Sequence, residues 1–95
     1  MSDVDSDLDD DHNQVPAPTA TAVLDHLVRS IVDHPDEVRV DVTEGRQRTR
    51  LEVSVAEGDL GRVIGRRGRT AMSIRTLTRA AATRDDVEVD IEFVD

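Results

Sequence analysis

The sequence predicts an α+β fold of two layers, a three-stranded sheet covered on one face by helices. Three observations predict it. Apolar and polar residues alternate along three short runs, which is the period of a half-buried strand. Along two longer runs apolar residues recur three and four apart, which is the period of an amphipathic helix. The runs follow in the order helix, strand, strand, short helix, helix, strand, and elements so patterned bury their apolar faces against each other.

The first helix reads from "TAVLDHLVRSIVDHPDEV", where Val23/Leu24, Leu27/Val28 and Ile31/Val32 form one apolar face. Thr19 or Thr21 supplies a capping hydroxyl, and Pro35 stops the helix near His34. In "VRVDV", Val38, Val40 and Val42 alternate with Arg39 and Asp41, giving the first strand. Glu44-Gly45-Arg46 turns the chain, and Leu51, Val53 and Val55 alternate with Glu52 and Ser54 in a second strand. The two are expected to pair as a hairpin. A short helix is expected over 57–64, with Val63 and Ile64 facing inward. A longer helix is expected over 69–83, with Ala71, Ile74, Leu77, Ala81 and Ala82 on its apolar arc and Thr78 among them. In "VEVDIEFVD", Val87, Val89, Ile91 and Phe93 alternate with acids, the clearest strand of the chain.

Residues 1–20 fall outside this pattern. They carry six acids, no base and few large apolar residues, so they read as a disordered acidic tail, and the folded domain reads as 21–95. Such a tail either solubilises the chain or competes for its arginines.

The net charge of −9 hides a sharp division. Residues 1–20, 21–59, 60–84 and 85–95 carry −6, −4, +7 and −6. The third segment holds seven arginines and no acid. The mean field repels a polyanion, but this segment attracts one locally. It contains "GRVIGRRGRT", with four arginines and three glycines in ten residues. Gly65 and Gly68 lack a Cβ, so another backbone can approach and positive φ is accessible. Gly68 precedes a helix, whose free N–H groups and dipole favour phosphate. Arg66 and Arg67 can reach phosphate oxygens. Arg62, Arg69, Arg75 and Arg79 extend the positive surface, and the last two lie four apart on one helix edge.

These residues and this element order resemble the type II KH domain, α-β-β-α-α-β. In particular the chain is similar to the bacterial KhpA-type (YlqC-like) single-KH RNA-binding proteins. The likeness spans nearly all of 21–95 and rests on "LVRSIVDHPDEVRV", "GRVIGRRGRTAMSIRTLTRAAAT" and the closing acidic strand. The resemblance maps the GXXG loop onto Gly65, Arg66, Arg67 and Gly68, a loop that in KH domains clamps about four nucleotides of a single strand. It implies an apolar base groove beside the loop, to which Val63, Ile64, Thr70 and Ile74 contribute, with the second strand on the far side. Core packing is the stronger expectation for Ile74. It implies pairing, as a homodimer or with a Jag/KhpB-like KH protein. It also implies roles in RNA regulation, cell elongation and envelope homeostasis. Phe93 is the one aromatic residue, which excludes the aromatic platforms of RRM and cold-shock proteins.

Other classes fit poorly. Gly61, Gly65 and Gly68 mimic a dinucleotide loop, with Asp85 downstream, but the G-x-G-x-x-G spacing is missing and the glycines join two helices. His12, His26 and His34 share no ligand spacing. No nucleophile–base constellation stands out, so neither an enzyme nor a cofactor or metal site is expected. No cysteine, secretory signal or apolar run long enough to span a membrane is present, which points to a cytoplasmic protein without membrane insertion. The alternative function is a protein-interaction or dimerisation module with little RNA binding of its own.

Overall fold

Helix α1 spans Pro18–Ile31 in the computed structural model of the chain, which describes residues 16–94. Most of the expected acidic tail, residues 1–15, lies outside the described residues. The helix begins three residues ahead of the expected domain boundary at 21, and Ala17 and Ala20 are already buried in the core. Ala17 turns the chain in with a left-handed backbone (φ 66°), and Pro18 opens the helix where its missing N–H costs nothing. The expected threonine caps are not used. The Asp85 carboxylate, distant in sequence, accepts from the N–H groups of Thr19 (3.0 Å) and Ala20 (2.8 Å). Thr21 instead donates its hydroxyl back to the Ala17 carbonyl (2.8 Å). The C-terminal end comes at Ile31, before His34, and a single tight turn follows over Pro35–Glu37.

Strand β1 (Arg39–Glu44) and strand β2 (Arg48–Ser54) form the expected antiparallel hairpin, with Val40 opposite Val53 and Val42 opposite Leu51. Strand β3 (Glu88–Val94) runs parallel to β2, with Thr49, Leu51 and Val53 opposite Val89, Ile91 and Phe93. The sheet order is β1-β2-β3, so β2 is central. A parallel neighbour needs a long crossover. Helix α2 (Leu60–Ile64) and helix α3 (Arg69–Ala82) provide it. The result is an α+β fold with a mixed three-stranded sheet and the order α-β-β-α-α-β.

Period-two alternation sends one side chain of each pair to either face. On the inner face, Leu51, Val53, Val89 and Ile91 meet Leu24 and Val28 of α1, Val63 of α2 and Ile74 of α3 in one core. Fully burying each larger aliphatic side chain contributes roughly 1.5–3 kcal/mol. On the outer face, Arg48 pairs with Glu88 (3.2 Å) and Asp90 (3.0 Å), and Arg50 pairs with Glu92. These exposed pairs keep the uncovered face wet.

Helix α3 departs from the expected arc at one position. Its buried stripe is Ala71, Ile74, Thr78 and Ala82, whereas Leu77 is 52% exposed. Steps of three, four and four keep the stripe on one side of a 3.6-residue helix. Leu77 falls about 100° away from Thr78. The core therefore takes Thr78, whose hydroxyl is buried with no hydrogen-bond partner among the described residues.

Candidate nucleic-acid interface

The basic stretch folds as the corner between α2 and α3. Gly65 follows Ile64 with φ 76° and ψ 174°, a conformation that is essentially glycine-only. A second requirement coincides there, because a Cβ at Gly65 would lie 2.6 Å from the Thr70 Cβ and 3.0 Å from the Thr70 nitrogen. Thr70 thus packs against the loop and braces it. A tight turn over Arg66–Gly68 follows, with Arg67 (φ 58°) and Gly68 (φ 74°) both left-handed. A Cβ at Gly68 would meet nothing, so only its backbone angle favours glycine. Gly68 is the N-cap of α3 and no side chain caps it, while the N–H of Arg69, the first residue of the helix, bonds back to the Arg66 carbonyl and closes the turn.

Arg66, Arg67 and Arg69 are exposed around this corner. None has an acidic partner among the described residues, and neither do Arg75, Arg79 and Arg84. Arg29, Arg48 and Arg50, elsewhere in the fold, are ion-paired. Arg62 is the exception within the stretch, since its Nε lies 3.1 Å from Asp33. The positive charge at the corner is therefore largely uncompensated by neighbours.

The apolar candidates divide. Ile64 is half-buried beside the loop, but Val63 is 0% exposed. Val63 points from the short helix into the core, so its part is to anchor the corner, not to line a groove. Ile74 is likewise core. The far wall of the surface beside α3 also differs from expectation. Strand β2 is enclosed between β1 and β3, so the strand edge flanking α3 belongs to β3. Arg75 spans the gap, donating from Nε to the Ile91 carbonyl (3.3 Å), with its guanidinium carbon 5.0 Å from the Phe93 ring centre. Arg79, one turn on, lines a shallow depression with Val89 and Asp90. The structure thus brings the loop arginines to one corner and sets Arg75 and Arg79 along the adjoining α3–β3 seam.

Sequence reasoning missed Asp59. It is 2% exposed at the start of α2, and it accepts from the N–H groups of Asp33 (3.3 Å) and His34 (3.0 Å) and from His34 Nδ1 (3.1 Å). Burial pushes its pKa up, but the His34 ring and the two backbone donors outweigh that and leave it lowered. The hydrogen bond to Asp59 raises the pKa of His34 in turn. An aspartate ahead of an apolar turn signals a cap, but its bonds run to the end of α1's exit turn, which no local pattern encodes. Together with Arg62–Asp33, they tie the base of the GRRG corner to α1.

The KhpA/KhpB KH-domain model matches residues 21–93. The chain belongs to the KhpA/KhpB KH-domain family. That span holds the GRRG corner and its two flanking helices. Among curated relatives, RNA-binding protein KhpA of Leifsonia xyli subsp. xyli is 53% identical over 68 residues, covering 72% of this chain and 90% of the relative. KhpA of Mycobacterium tuberculosis is 49% identical over 72 residues, with 76% and 89% covered. KhpA of Borreliella burgdorferi is 44% identical over 73 residues, with 77% and 89% covered. These relatives are named as RNA-binding proteins, not as enzymes. A solved structure of Era from Aquifex aeolicus superposes with a TM-score of 0.61 at 16% identity, covering 78% of this chain and 29% of that one. The likeness to Era is one of fold. No helix among the described residues is long and apolar enough to cross a membrane.

Proposed function

We propose that the chain binds single-stranded RNA, with the sugar–phosphate backbone passing over the Gly65–Gly68 corner. The observation that supports this most is the set of arginines there, exposed and without acidic partners among the described residues. Cations kept free of acids remain available to phosphate, and the bare backbone of two glycines admits its close approach. Arg66 and Arg67 take phosphate, with Arg69, Arg75 and Arg79 widening the field and Arg62, paired with Asp33, adding less. Ile64 offers apolar surface beside the loop. The relatives named RNA-binding protein KhpA support the same reading.

In this reading the protein works in the cytoplasm as an RNA chaperone or post-transcriptional regulator, with cell elongation and envelope homeostasis as the processes served. It pairs with itself or with a KhpB-like KH protein. Met72 (63% exposed) and Leu77 (52% exposed) on α3 are exposed large apolar side chains that pairing would cover. Two corners on one RNA raise affinity through effective concentration. The same two residues favour the second reading, an interaction module that binds RNA feebly.

Titration of isotope-labelled protein with a short single-stranded RNA separates the two. The RNA reading expects amide shifts at 65–70 and along the α3–β3 seam. Shifts confined to the outer sheet face, or none, contradict it. Sedimentation of Leu77→Glu tests pairing, which the reading expects to weaken.

A further inference from the structure

Arg75 stands apart from the other arginines of the basic stretch. It crosses from α3 to the edge of β3, where the Ile91 carbonyl accepts from its Nε and the Phe93 ring lies 5.0 Å from its guanidinium carbon. Both side chains are half-buried. No acid pairs with the guanidinium among the described residues, and no described protein atom bonds its Nη groups. A cation at this distance from a ring is held by the ring's quadrupole. Two restraints on one side chain leave little rotamer freedom to lose when a ligand arrives. A guanidinium is planar and weakly hydrated, so it can stack as well as donate, and unpaired bases stack on arginine planes as they do on aromatic rings.

We propose that Arg75 is a nucleobase platform. One unpaired base lies on its guanidinium at the α3–β3 seam, while the adjoining phosphates run toward the Gly65–Gly68 corner. The proposal rests on the RNA reading above and deepens it, giving base chemistry to a residue whose charge alone would assign it to phosphate. Phe93 backs the platform from the strand side. The Nη groups are left to donate to acceptors on the base edge. The site therefore takes single strands and rejects paired bases, whose faces are covered.

Lysine keeps the charge and removes the plane, so Arg75→Lys separates stacking from phosphate contact. Wild type and Arg75→Lys are titrated with a short single-stranded RNA and with a set of the same RNA carrying one abasic ribose at successive positions. Thermal unfolding verifies that each variant is folded. Arg75→Lys should bind the intact RNA about tenfold more weakly, within the range that stacking one base is worth. Its salt slope should match the wild type, because the charge is retained. One abasic position should weaken the wild type to a similar degree and weaken Arg75→Lys no further. Phe93→Leu, which keeps apolar volume, should reproduce part of the loss. If Arg75→Lys binds every RNA of the set as the wild type does, the platform is overturned, while loss of binding in Arg66→Asp/Arg67→Asp would leave the corner standing. If the wild type binds none of the RNAs, the RNA reading falls and the platform with it.

Discussion

Thr70 occupies the space that a side chain at Gly65 would need. The contact joins the first turn of α3 to the exit of α2 and fixes the shape of the corner between them. Two demands meet at Gly65, a glycine-only backbone and a crowded Cβ position, whereas Gly68 meets only the first in milder form. Gly65→Ala should therefore cost about 3 kcal/mol, the upper end for a strained backbone. Gly68→Ala should cost about 1 kcal/mol, as for a single left-handed residue. Urea unfolding of the two variants checks the order. Equal losses would mean that Thr70 yields freely.

Asp85 supports α1 from the far end of the chain. Burial raises its pKa, but the N–H groups of Ala20 and Thr19 outweigh burial and leave it lowered. A carboxylate with a lowered folded pKa stabilises above its unfolded value, about 3.9, and loses that contribution as pH falls through the folded value. Asp85→Ala should cost about 1 kcal/mol at neutral pH, the usual worth of a helix cap. The gap to wild type should narrow as pH falls below the unfolded value and through the lowered folded one. Denaturant midpoints at neutral and acidic pH measure it, and a constant gap would exclude the carboxylate's charge as the cause.

His34 behaves with the opposite sign. Its folded pKa is raised by the hydrogen bond to Asp59. Its contribution is complete below the unfolded value of about 6.5 and is lost as pH rises through the higher folded value. Asp59 contributes above about 3.9 and loses this on acidification. The pair is therefore strongest between those limits. Melting temperatures of wild type and His34→Gln should differ most between those limits and converge as pH rises through the raised folded value of His34. A difference that widens with pH would contradict the ion pair.

Thr78 holds a buried hydroxyl with no partner among the described residues. Valine keeps the shape and removes the unsatisfied group. Thr78→Val should stabilise the fold by about 1 kcal/mol, read from the urea midpoint. Destabilisation would show that the hydroxyl has a partner in solution.

The strands were legible because alternation at Val40/Val42, Leu51/Val53 and Val89/Ile91 reports a sheet face directly. The corner was legible because Gly65 and Gly68 bracket a break between two helical periods. Leu77 misled because its hydrophobicity matched the arc while its angle did not, and Thr78 took the inward position. Asp59 and Asp85 escaped because their partners lie 25 and 65 residues away at His34 and Ala20. The β3 edge escaped for a related reason. Strand order is set by the crossover's packing, and alternation alone does not say which strand ends at the edge.

In the proposed function Arg66 and Arg67 hold RNA through phosphate. Fluorescence anisotropy with a short single-stranded RNA across a salt series, for wild type and Arg66→Asp/Arg67→Asp, tests it most directly. The double variant should lose affinity sharply. Its slope of log K against log salt should flatten by about 1.4, from about 0.7 per contact to a single strand. Equal affinities and equal slopes would make the GRRG corner a structural turn with no part in holding RNA.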